Sequence, residues 1–173
     1  MKTMFAAAAA VIACLLLSAC ASNTSPEAMT VSAPVAAAPN PALAGALKVG
    51  GVSGGQDTNP MWTSQVDDGS FRQALTESLR NAGYLAAAPD AAPYTLDAVL
   101  VSLDQPIFGF ELDVSSSVTY TLRGRGTEKA WPVTAVGTGH MSDSVVAVAR
   151  LKFANERAIR ANIAKLLDEL RGF

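Results

Sequence analysis

The chain has 173 residues, of which 50% are hydrophobic, and it carries a formal net charge of −2. That length suits one ordinary domain with some additional sequence, and the apolar content is sufficient for one buried core. The two cysteines lie at positions 14 and 20 and the one histidine at 140, so the chain lacks the clustered ligands of a zinc site. The low isoelectric point disfavours nucleic acid as a partner.

The N-terminus carries the pattern of an export signal. Lys2 precedes an apolar run over residues 6–17, which is shorter than the roughly 20 residues of a membrane-spanning helix. Small residues and a cysteine follow, in the order Leu17-Ser18-Ala19-Cys20. The alternatives to a lipoprotein signal are an ordinary secretory signal or a short membrane anchor.

These four residues resemble a bacterial lipobox. The resemblance implies cleavage between Ala19 and Cys20 and acylation of Cys20 with fatty acids such as palmitate. Residue 21 is Ala rather than Asp, which by the same resemblance implies sorting to the outer membrane, with the protein facing the periplasm. Because Cys14 leaves with the signal peptide, the mature chain has no cysteine pair for a disulfide.

The chain then divides into three parts. Residues 1–19 are the predicted signal peptide. Residues 20–44 are rich in Ala and Pro with Glu27 as the one charge, which predicts a flexible tether. A random coil of that length spans roughly 25–30 Å. Residues 45–173 form a single predicted periplasmic domain.

The domain begins with a predicted strand and helix. A strand over 46–49 runs into the glycine cluster 50–55, which lacks the lysine and hydroxyl residue of a phosphate loop and so favours a bulged strand end or a mobile loop. Asp67 or Asp68 caps a predicted helix that ends at Gly83.

Three predicted strands follow. Residues 94–103 are apolar on both faces towards their end, which favours a central strand. Residues 110–123 alternate strictly, and Pro132 places the returning strand at an edge or a bulge. The predicted inward residues of the alternating strand, with Ser116 as the exception in their series, are Phe110, Leu112, Val114, Val118, Tyr120 and Leu122.

The last predicted element is a helix of about 25 residues, capped by Ser142-Asp143-Ser144, on which Lys152 and Glu156 can pair. Its basic residues form a possible interaction face for lipid headgroups, lipopolysaccharide phosphates or an acidic protein surface. They are Arg150, Arg157, Arg160 and Lys165. The alternatives are a solvated face, or neutralisation by the acidic first half of the domain.

The element order β-α-β-β-β-α predicts an α+β fold. We expect a three- to four-stranded, mainly antiparallel sheet with two helices on one face.

No catalytic, metal or cofactor residues are predicted. His140 is the only histidine, there is no G-x-S-x-G turn, and strand carboxylates such as Asp97, Asp104 and Glu111 are typical of a solvated face. The alternative hypothesis is an enzyme acting on an envelope glycan or lipid, which needs a deep polar pocket around His140, Asp143 or the strand acids.

From Leu47 to Leu170, the order of elements resembles small envelope lipoproteins of Gram-negative bacteria, including the lipopolysaccharide-assembly lipoprotein that plugs an outer-membrane barrel. This resemblance implies a non-enzymatic accessory role in assembly or transport, with an envelope protein or lipopolysaccharide as partner. The chain also resembles short lipoproteins labelled as UDP-N-acetylglucosamine acyltransferases, but it lacks the hexapeptide repeat of that enzyme class. Residues 155–158 resemble one piece of a peptidoglycan-binding motif without its preceding Asp and Gly.

Overall fold

A computed structural model describes residues 23–32, 38–59, 64–106 and 109–173. The predicted signal peptide and the lipobox, including Cys20, lie outside these residues. The described elements are the helices α1 (Pro26–Met29), α2 (Asp68–Asn81) and α3 (Ala147–Arg171), the strands β1 (Leu47–Ser53), β2 (Tyr94–Asp104), β3 (Leu112–Gly124) and β4 (Thr127–Gly139), and a 3-10 turn at Pro89–Ala91.

The predicted α+β fold is confirmed. The sheet has the order β1-β2-β3-β4, with β1 parallel to β2 and the other pairs antiparallel. Helices α2 and α3 pack on one face of the sheet. The connections β1–α2, β2–β3 and β4–α3 all lie at the same end of the sheet, which we call the loop end.

The alternation along β3 places its even-numbered residues in the core. From Leu112 to Leu122 none of them is more than 4% exposed. Phe110 is the exception to the prediction, since it is 83% exposed. The pairing of β3 with β4 begins at Leu112, opposite Gly139. Phe110 precedes this pair and lies outside the sheet, so the alternation no longer fixes its side.

The other strands agree with their sequence patterns. Strand β2 is central, although its Val99 and Val101 remain exposed on the face without helices. Strand β4 is an edge strand, where Pro132 costs no ladder hydrogen bond. The register of β1 shifts between Val49 and Val52, as expected of a bulge in the glycine cluster.

Helix α2 begins and ends as predicted. The Asp67 side chain accepts a hydrogen bond from the Ser70 N–H at 2.8 Å, and Gly83 follows the helix with a φ of 77°.

A buried polar network fixes α3 on the sheet. The Tyr120 hydroxyl donates to Asn162 Oδ1 at 2.9 Å, and Asn162 Nδ2 donates to the carbonyls of Ser116 and Val133 at 3.1 and 2.9 Å. Ser116 Oγ donates to the Ala158 carbonyl at 3.1 Å. The one polar residue in the inward series of β3 therefore connects the sheet to the helix backbone.

The prediction of a flexible tether is wrong for the described parts of residues 20–44. Residues 23–32, here called the N-terminal segment, form α1 in contact with α2 and α3, and Met29 is fully buried. Leu43 is also fully buried. An Ala/Pro-rich sequence cannot fold alone, but here α2 and α3 supply the apolar surface that buries its few large side chains.

Candidate functional site

The four basic residues predicted to share one face of α3 do not form one surface. Arg150 is 5% exposed, and its guanidinium donates to the carbonyls of Gly109, Ser144 and Val145 at 3.0–3.3 Å. It therefore holds the β2–β3 and β4–α3 connections together at the loop end. The sequence pattern could not show this, because its partners are backbone carbonyls.

Arg157 is paired with a carboxylate. Its guanidinium contacts both oxygens of Asp143 at 2.5 and 2.7 Å and the Thr138 carbonyl at 2.6 Å. The hydrogen bond from Arg157, with that from the His140 N–H, lowers the pKa of Asp143 to about 2. The predicted cap at residues 142–144 is wrong, because α3 begins after Val146 and Asp143 binds Arg157 instead.

The remaining two cations contact backbone carbonyls. Arg160 donates to the Ala28 carbonyl in the N-terminal segment at 3.3 Å, and Lys165 donates to the Thr134 carbonyl at 2.7 Å. Because Thr134 lies in the edge strand β4, Lys165 also protects that edge from pairing with another strand. Arg160 and Arg157 line an open groove of about 460 Å³ beside His140.

Two adjacent residues of α3 hold the N-terminal segment and its neighbouring loops. Glu156 is 4% exposed, accepts the Ser25 N–H at 2.8 Å and lies 3.8 Å from Lys152 Nζ, the pair predicted from the sequence. Burial raises the pKa of Glu156. Asn155 donates to the Ser64 carbonyl at 2.8 Å and accepts from Gln105 at 3.0 Å. Asn155 and Glu156, two of the four residues that resemble a peptidoglycan-binding motif, therefore bond within the fold.

The residues considered for catalysis pair with neighbours. His140 Nδ1 lies 3.1 Å from Glu111 Oε1 on the surface. Asp97 pairs with Arg123 and also accepts the Gly51 N–H at 2.6 Å. Among the described residues, no three His, Cys, Asp or Glu side chains are placed to hold a metal ion.

A groove of about 890 Å³ runs along β1 at the other edge of the sheet. Three cations, Lys48, Arg72 and Arg80, line it together with one acid, Asp90. Sequence reasoning missed this site, because Lys48 lies on β1 and the two arginines lie on α2, and all three belong to the acidic first half of the domain.

The edge strand β1 forms one wall of this groove. Leu47 bonds outwards, donating to the Tyr84 carbonyl at 3.0 Å and accepting from Ala86 at 2.9 Å. Val49 also lines the groove, and the register of β1 against β2 shifts directly after it. Arg72 covers the next carbonyl, Gly50, at 2.6 Å.

The loop end carries a cluster of exposed apolar side chains. We call it the loop-end patch, and its members are Phe110 (83% exposed), Met141 (43%), Val145 (82%) and Val146 (36%). The guanidinium of Arg150 brings the two connections that hold them together, because it bonds the carbonyls of both Gly109 and Val145.

No helix within the described residues has the length and apolarity required to cross a bilayer.

Comparisons with known proteins give similarity in structure only. No protein-family model matches the chain, and no curated protein matches it. A candidate lipoprotein from Caulobacter crescentus CB15 superposes with a TM-score of 0.46 and 14% identity, covering 74% of this chain and 89% of its own. A hypothetical protein from Chlamydia trachomatis gives a TM-score of 0.46 and 8% identity, covering 74% and 95%. The functional argument therefore rests on this chain's own residues.

Proposed function

We propose that this protein is a lipoprotein of the outer membrane, anchored through acylated Cys20 and facing the periplasm, that binds another envelope component without performing chemistry. The lipobox supports the anchor. The groove along β1 is the observation that carries the binding role.

The groove fits an extended, acidic segment of an envelope protein. Its volume is in the range of ordinary ligand sites, which is about 300–1,000 Å³. Lys48 and Arg72 give it a positive charge, Arg80 adds a cation that is paired with Glu77, and the edge strand β1 offers a place for a strand to pair. A segment with alternating acidic and apolar residues satisfies both features.

A defined probe tests this binding. We would measure fluorescence anisotropy of a labelled peptide in which Glu and Val alternate. Lys48→Glu combined with Arg80→Glu reverses two groove charges. Neither side chain bonds to the backbone as Arg72 does, and Arg80 gives up only a surface ion pair with Glu77. We expect a loss of affinity of about tenfold or more, corresponding to about 1.4 kcal/mol, and weaker binding in salt.

The matched control reverses two exposed cations of the β3–β4 hairpin, Arg125 and Lys129, which should leave binding unchanged. Equal affinity of the groove variant and the hairpin variant would overturn the groove as the binding site. A photo-crosslinker at Thr76, inside the groove, would then identify the envelope partner in cells, with a crosslinker at Thr134 as the comparison site.

The anchor has a separate test. Cys20→Ala should abolish both fatty-acid labelling and cleavage by lipoprotein signal peptidase. If wild type and variant are equally processed and neither is labelled, the anchor is removed from the proposal. If the wild-type protein fractionates with the inner membrane, only the outer-membrane assignment is removed.

A further inference from the structure

We propose that the loop-end patch is a membrane-seating surface, which contacts the interfacial region of the same bilayer that holds the lipid anchor. This inference rests on the proposed acylation of Cys20. It adds a second membrane contact made by the folded domain itself.

The patch has the character of an interfacial contact. Phe110 and Val145 are each more than four-fifths exposed, and they project from two connections that Arg150 fastens side by side. Soluble proteins rarely leave adjacent large apolar side chains in water unless the patch contacts something else. Apolar side chains at the tips of loops suit the boundary between headgroups and acyl chains.

One carboxylate beside the patch is neutralised within the fold. Asp143 is paired with both guanidinium nitrogens of Arg157, whereas exposed Glu111 contacts only the His140 ring. Asp143 therefore adds no unpaired charge where the patch meets a phospholipid surface.

The N-terminal segment begins on the part of the domain nearest the loop end. Thr24 is 3% exposed and donates to the Gln65 carbonyl at 3.2 Å, and the next residue, Ser25, is held by Glu156. From Ser25 the segment runs away from the loop end, because Val31 contacts Ser78 near the C-terminal end of α2. The described segment therefore begins nearer the loop end than it ends.

The chain between the anchor and this attachment is short. Cys20 lies four residues before Thr24, and four extended residues reach about 14 Å at most. Glu156 lies nine residues from the first residue of α3, which is about 14 Å along a helix. The acylated residue can therefore reach the level of the loop end, and so short a chain keeps the domain close to the bilayer.

A site-specific probe tests the orientation. In the mature chain Cys20 is the only native cysteine, and its sulfur carries lipid, so an introduced cysteine is labelled uniquely. We would attach bimane at Val145→Cys in the patch and, as the matched control, at Val136→Cys, which is 56% exposed on the sheet face without helices. The mature protein would be reconstituted into vesicles of phosphatidylethanolamine and phosphatidylglycerol with brominated acyl chains.

We expect the bimane at position 145 to be quenched about twofold or more, as a probe at the headgroup–acyl boundary would be, and the bimane at position 136 to be unaffected. Equal quenching at the two positions, or none at either, would overturn the proposal. If bimane at position 145 stays in water on vesicles, while a photo-crosslinker at the same position captures a protein in native envelopes, the patch belongs to that protein and the proposal is overturned. The mass of the mature chain reports acylation independently, so failure of the anchor is distinguishable from failure of the seating surface.

Discussion

Met29→Ala tests whether the N-terminal segment belongs to the folded domain. Met29 is fully buried in the main core cluster, and neighbouring Val31 packs against the same cluster. Truncating a buried methionine to alanine costs about 2–5 kcal/mol, because apolar contact is lost and a cavity remains. If the cavity costs more than the docking of the N-terminal segment contributes, the segment detaches instead. The loss of unfolding free energy is therefore limited by the docking free energy, and we expect about 2–3 kcal/mol.

The assay is urea unfolding of the mature protein, followed by tryptophan fluorescence. With a urea dependence of about 2 kcal/mol per molar, the midpoint should fall by about 1–1.5 M. Met141→Ala is the matched control, because Met141 is 43% exposed and its loss should cost less than about 0.5 kcal/mol. Equal midpoints for the two variants would show that residues 23–32 are a free tether and would refute the reasoning.

Three further variants test the packing of α3. Tyr120→Phe leaves Asn162 Oδ1 buried without its donor, which should cost about 1–3 kcal/mol in urea unfolding. Gly137→Ala places a Cβ within 2.1 Å of the α3 backbone, so we expect a loss of about 1–3 kcal/mol or more in the same assay. Asp143→Asn removes the carboxylate partner of Arg157. The pKa of Asp143 is lowered from 3.8 to about 2 in the folded protein. The wild-type protein should therefore be more stable than the variant above pH 4, and this difference should disappear as the pH falls towards 2.

The controls for these variants are conservative changes nearby. Thr119→Ala, on the half-exposed face of β3, should cost less than about 0.5 kcal/mol, and a larger loss than that of Tyr120→Phe would mean that the buried network is not the cause. For Asp143→Asn, a difference from wild type that stays constant between pH 5 and pH 2 would contradict the lowered pKa. A Gly137→Ala protein as stable as wild type would contradict the close approach of α3.

The parts of the fold that could be predicted are those that local chemistry determines. The alternation in β3 fixes its buried face from Leu112 onwards, Asp67 caps α2 through its own side chain, and Pro132 requires an edge position. Phe110 follows the same alternation but lies beyond the last paired residue of β4. Where a strand ends depends on its partner, and no pattern within β3 could show that end.

The candidate sites could not be predicted because their partners are distant in sequence. Arg150 bonds a carbonyl that lies 41 residues away, and Glu156 holds Ser25 across 131 residues. Helical spacing therefore predicts one basic surface, although each of the four side chains donates to at least one backbone carbonyl and Arg157 also pairs with Asp143. The N-terminal segment was interpreted from composition alone, which does not reveal that α2 and α3 provide a place for Met29.

The central claim is that the anchor and the docked N-terminal segment hold the domain directly on the membrane, with the loop end towards it. Neutron reflectometry of the mature lipoprotein on a supported phospholipid bilayer measures the thickness of water between headgroups and protein. We predict a protein layer that adjoins the headgroups without a resolvable water gap. A gap of roughly 25–30 Å, the span of a free coil over residues 20–44, would contradict the account.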